Sequence, residues 1–234
     1  MPSLLARGAV AGALAGLVSS LWSLVLVEPV LQRAIDLEGA GDGPVSRPVQ
    51  RLVGLPVGTT LVGIAVGLLF ALVYQAVPSR IAPWSRSLGL ALGAFLALVL
   101  VPQLVYPGNP PGVGSADTIG QRTGSYLAAM LLGTAVVVSG YAALRDLARR
   151  GVPAPVRQSA VAVGVVLIVA AGYALLPPFP DPVEAPASLV WQFRVLSLGG
   201  LAVLYAVLGA AFGVLTERAD RPAVARPPAT RLPV

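Results

Sequence analysis

Six apolar runs, each close to the length needed to cross a bilayer, leave this chain few folds to choose from. They cover about residues 5–27, 52–77, 88–105, 125–144, 159–176 and 195–215, and a hydrocarbon core about 30 Å thick takes about 20 helical residues to span. Backbone N–H and C=O groups find no water in lipid, so each run must satisfy its own hydrogen bonds as a helix. The remaining composition agrees: 56 % of residues are apolar and 11 % charged, too little polar surface to cover a soluble domain. The expectation is an all-α polytopic membrane bundle of about six helices, a single domain over residues 1–217. The Pro/Arg-rich segment 218–234 reads as a disordered cytoplasmic tail.

The first run is too long for the apolar part of a signal peptide and no small-x-small cleavage site follows it, so it reads as a retained helix. Glu28-Pro29 predicts an end or a kink, because a residue before proline is pushed out of the helical region. Val27, Val30, Leu31, Ala34 and Ile35 then recur at helical spacing with Gln32, Arg33 and Asp36 opposite, which predicts a short interfacial helix stopped at Gly39. Ser46 with Pro48 marks the next helix start, and Pro56 is placed to bend the second span. Thr118 with Gln121 resembles a capping box opening the fourth. Glycines four apart, Gly8/Gly12/Gly16, Gly54/Gly58, Gly63/Gly67 and Gly89/Gly93, predict smooth strips where helices approach closely. A faint parallel repeat joins Gln50, Gly67 and Phe70 to Gln192, Gly209 and Phe212 at equal spacing.

All sixteen cations are arginine and the net charge is +6, but they sit at helix ends, which turns the reading from nucleic acid to membrane topology. Six spans put both termini on one side; the loops on that side carry eleven arginines, against five (Arg33, Arg47, Arg51, Arg122 and Arg194) on the other. The positive-inside rule then places both ends in the cytoplasm. Glu28, Asp36, Glu38 and Asp117 fall on the outer side, where carboxylate oxygens can gather a divalent cation. Pairing of Glu28 and Asp36 with Arg33 or their solvation of an interfacial helix, and capping of the fourth span by Asp117, explain the same positions without a ligand.

The chain has no cysteine and no histidine, which excludes disulfides, thiolate nucleophiles, Ser/His/Asp triads and the commonest transition-metal ligands. It carries no phosphate-binding loop, and no charged residue lies clearly inside a span, which argues against an enzyme and against a carrier with an intramembrane proton relay. No firmly bound cofactor is expected.

The longest segment that is neither greasy nor repetitive is Tyr106 to Arg122, YPGNPPGVGSADTIGQR, a Pro/Gly-stiffened loop presenting Asp117. With LVEPVLQRAIDLE, VSRPVQRLVGLPVG and WQFRVLSLGGLAVLYAVLGAAFG, in that order and spacing, it resembles the CbtA family of predicted cobalt-transporter subunits, over most of residues 8 to 215. The pattern NPP-x-VG-x-x-DTIG-x-RT carries the likeness, with Asn109, Pro110, Pro111, Thr118 and Arg122 as its outer-loop residues. The resemblance implies a six-span bacterial cell-membrane protein of cobalt uptake, acting with a small single-span partner, CbtB, whose His-rich end supplies metal ligands. Family members often carry histidine near the GAGDGP link, and this chain does not. Co²⁺ favours imidazole, so the departure weakens autonomous transport and leaves a membrane scaffold or assembly protein as the alternative. The ion and any homo-oligomer stay open.

Overall fold

The apolar runs become six helices, Leu4–Leu37, Arg47–Ala76, Pro83–Val105, Ile119–Arg149, Ala154–Leu175 and Ala187–Asp220, each long and apolar enough to cross a membrane. A computed structural model describes residues 3–39, 45–77, 79–111, 113–178, 183 and 185–220. Every regular element among them is helical. The helices outrun the apolar stretches because flanking polar turns continue the backbone hydrogen bonding beyond the hydrocarbon. The sixth reaches Asp220, and the tail from 221 onward lies outside the described residues.

Three prolines sit inside helices, each just beyond a π-helical turn. Ser23–Val27 precedes Pro29, Gln50–Gly54 precedes Pro56, and Leu96–Leu100 precedes Pro102. A proline ring collides with the carbonyl four residues back, which here belongs to Val25, Leu52 or Leu98, the middle of each π turn. The residue before each proline donates five residues back instead: Glu28 to Ser23, Leu55 to Gln50 and Val101 to Leu96. The wider turn removes the clash. The chain therefore stays helical through Glu28-Pro29, where the sequence predicted an end or kink, and Glu28–Glu38 continues the first helix without a break. Its apolar face is the expected one, with Val30 and Ala34 buried against Leu189. Gly39 stops it in the left-handed conformation, at φ 62°, a conformation glycine adopts without a Cβ penalty.

The first helix lies against the second and the sixth, the third packs on the sixth, the fourth on the third, and the fifth on the fourth. Backbone meets backbone along the first seam. A Cβ on Gly12 would lie 2.1 Å from the Gly63 carbonyl oxygen, and one on Gly8 or Gly16 would lie 2.4 Å from that of Gly67 or Thr59. Lipid offers no hydrophobic gain between helices, so close van der Waals approach of this kind is what holds them. Not every glycine pair does this. Gly58 and Gly89 meet nothing within 4 Å, and Gly54 and Gly93 make only ordinary contacts, so the spacing alone over-predicted seams.

Phe212 and Leu208 are fully buried at the centre. The ring of Phe70 meets Phe212 edge-on at 5.2 Å between centroids, with Tyr74 at 5.0 Å, so the two phenylalanines of the faint repeat pack on one another. Ser19 Oγ donates to the Gly200 carbonyl and Trp22 Nε1 to that of Leu196, both at 2.9 Å, tying first helix to sixth. Arg86, just ahead of the third apolar run, lies in the first turn of the third helix. Its guanidinium stacks on Tyr74 at 3.6 Å and donates to the Tyr74 and Val77 carbonyls, satisfying the otherwise unpaired end of the second helix.

Candidate functional site

The end of the bundle that the arginine count assigns to the outside, called the outer end below, carries a layer of hydrogen bonds from side chain to side chain. It begins with Glu28, 5 % exposed, which takes Arg47 Nη2 at 3.0 and 3.3 Å. Arg47 also donates to Gln50 at 2.8 Å and Gln32 at 3.4 Å; Gln50 donates to the Val45 carbonyl at 2.7 Å, and Gln32 to Asp36 at 2.8 Å. The sequence offered Arg33 as a partner for Glu28 and Asp36. Instead the opening turn of the second helix folds Arg47 onto Glu28, and Arg33 reaches across to Gln192 of the sixth helix at 2.7 Å. Glu38 ends the segment, and its side chain lies outside the described residues.

The motif loop is fastened at its start. Tyr106 donates its hydroxyl to the Pro177 carbonyl at 2.6 Å, Gly108 donates its N–H to Gln103 at 2.8 Å, and Asn109 Oδ1 accepts Nε and Nη2 of Arg194 at 3.2 and 2.6 Å. Pro110 is buried and Pro111 exposed. Further on, the Ser115 carbonyl takes the Thr118 hydroxyl at 2.9 Å and Arg122 Nη2 at 2.8 Å. Thr118 opens the fourth helix without a side-chain cap bond, so the expected capping box is replaced by this turn-internal bond. Asp117 sits exposed on the 3₁₀ turn Ala116–Thr118, its N–H bonded to Ser115 Oγ at 3.3 Å.

Behind the loop lies a cavity of about 430 Å³ lined by Gln103, Tyr106, Asn109, Arg122, Ser125 and Tyr126 among others. Its polar groups are neutral oxygens and amides plus one guanidinium. A second, of about 220 Å³, lies beside Glu28 and Arg47. Among the described residues no three Asp or Glu side chains come together as a metal cage. Glu28 is neutralised by one guanidinium nitrogen, Nη2 of Arg47, which reaches both its oxygens, Asp36 accepts from an amide, and Asp117 stands on a separate turn. The three outer loops do meet, through Arg33–Gln192, Arg194–Asn109 and Tyr106–Pro177. Sequence reasoning named neither Arg47 nor Arg194 as a partner. The equal spacing of Gln50 and Gln192 was the available signal, since both join this polar layer.

Fold and polar layer together define a polytopic helical membrane protein with a cross-linked loop face at one end. Within that class the chain belongs to the CbtA family, described as a probable cobalt transporter subunit, whose sequence profile matches residues 1–217. A comparison with curated proteins and with solved structures finds no match.

Proposed function

We propose that the chain is the membrane-spanning subunit of a cobalt, or more broadly divalent-cation, uptake system that receives its ion at the outer loops. The observation that supports this reading, beyond the family, is the exposed Asp117 on the turn beside a cavity behind the motif loop to which Gln103, Tyr106, Asn109 and Ser125 contribute oxygens alongside the Arg122 guanidinium. Carboxylate and neutral oxygens hold a divalent cation loosely, which suits passage more than storage. Tight selection of Co²⁺ calls for imidazole, and this chain has none. A small single-span, His-ended partner of the CbtB kind would bring it. The arginine distribution supports a place in the bacterial cell membrane with both termini cytoplasmic, and an enzymatic role has no group to rest on.

A second reading is a membrane scaffold whose outer loops dock a partner. It is favoured by the engagement of Glu28 and Asp36 with neighbouring side chains and by the absence of a metal cage among the described residues. Labelled Co²⁺ uptake separates the two, in cells lacking their own importers that express the chain alone, with its partner, or as Asp117→Ala. Uptake that needs the partner and falls in the variant supports transport. No uptake in any combination, with the protein inserted, leaves the scaffold.

A further inference from the structure

The third, fourth and fifth helices leave between them a groove of about 860 Å³. Its wall is apolar from Gly89, Leu144 and Val161 at the inner end to Leu104 and Tyr173 at the outer. Fifteen residues separate Gly89 from Leu104, so at 1.5 Å per residue the groove runs about 22 Å along the bundle. The fifth helix buries no residue of its own. A Cβ on Gly89 meets nothing, and one on Gly93 meets only a Val137 methyl at 3.6 Å, so the floor is open.

Charge at the inner mouth selects the occupant. Val137, Tyr141, Arg145 and Arg149 follow at intervals of four on one stripe of the fourth helix; the first two line the groove and the Arg145 guanidinium lies 5.7 Å from the Tyr141 ring centre. Arg150 is tied to Asp146 at 2.7 Å and Arg157 to the Val152 carbonyl at 3.2 Å. Arg145 and Arg149 are exposed and form no ion pair among the described residues. We infer that this groove is a site for an anionic phospholipid, with its phosphate on Arg145 and Arg149 and its acyl chains along the apolar wall. A neutral helix from another protein would fill the wall and leave the arginines unanswered. A lipid phosphate answers them, as basic pockets at the ends of membrane helices generally do.

The test uses the full chain in nanodiscs of mixed phosphatidylglycerol and phosphatidylcholine, with retained lipid counted by native mass spectrometry after release. Phosphatidylglycerol should be retained in preference. Arg145→Gln with Arg149→Gln should lower that preference roughly thirtyfold, about fivefold for each arginine, while Arg218→Gln on the sixth helix, which does not line the groove, leaves it unchanged. Gly93→Phe, which fills the floor, should reduce retention of both lipids. Equal retention of the two lipids by the unaltered chain, an unchanged preference in the double variant, or an equal loss in Arg218→Gln would each overturn the assignment.

Discussion

Gly12→Ala adds one methyl group on the tight seam between the first and second helices. Its Cβ would lie 2.1 Å from the Gly63 carbonyl oxygen and 2.8 Å from the carbonyl carbon. Both are backbone atoms, so no rotamer change relieves the contact. To restore about 3.4 Å the first and second helices must part by roughly 1 Å, and a gap of that size forfeits about a quarter to a half of each dispersion contact along the seam. Overpacking in cores typically costs about 1–3 kcal/mol, and a rigid double-backbone seam belongs at the upper end, about 2–3 kcal/mol. The assay is reversible unfolding in mixed micelles against SDS mole fraction, with Gly58→Ala as control. Gly58 lies on the second helix and faces open space, so that change should be neutral or stabilise by up to about 1 kcal/mol through helix propensity. Gly63→Ala strikes the same seam, 2.3 Å from the Gly12 oxygen. Once the helices have parted for one methyl the second costs little, so the double variant should fall well short of additive. If Gly12→Ala unfolds no more readily than Gly58→Ala, the backbone-contact argument fails.

Arg47→Gln strands the buried carboxylate of Glu28; because Arg47 itself is 31 % exposed, the expected loss is about 1–3 kcal/mol, below that of a fully buried pair. Adding Glu28→Gln should recover part of it in the same unfolding assay, and no recovery would refute the pairing. Arg194→Gln removes both bonds to Asn109, and hydrogen exchange at the Gly108 amide should quicken about tenfold, the worth of roughly one net hydrogen bond; unchanged protection would show the loop is held by other means. Asp117→Ala should leave stability within about 0.5 kcal/mol, as expected of an exposed site, while lowering partner-dependent Co²⁺ uptake. A loss of folded protein instead would make Asp117 structural.

The helical bundle was legible because each apolar run is set by a local requirement, closure of backbone hydrogen bonds in lipid. The glycine spacing was legible in part: Gly8, Gly12 and Gly16 found Gly67, Gly63 and Thr59, whereas Gly54/Gly58 and Gly89/Gly93 share the spacing and meet no backbone of another helix within 4 Å. Spacing fixes which residues share a face, and only docking fixes what that face meets. The prolines show the same division. Pro29 announced a perturbation, but a π turn absorbed it within a continuous helix, as at Pro56 and Pro102. At the candidate site the motif loop stood out through its prolines and glycines. Its fastening to Arg194, and the pairing of Glu28 with Arg47, did not.

By itself the sequence determined that the chain spans a membrane, where its helices lie and which family pattern its loops carry, since hydropathy, arginine placement and local motifs act within short stretches of chain. Tertiary structure alone decided which glycines touch, which arginine answers which carboxylate, and that the outer loops join through the sixth helix while the fifth packs on the fourth without burying a residue of its own. Those outcomes depend on residues as far apart as Asn109 and Arg194, 3.2 Å from atom to atom at their longer contact. No local pattern encodes such a meeting, because it follows from how six rigid helices settle against one another as a set.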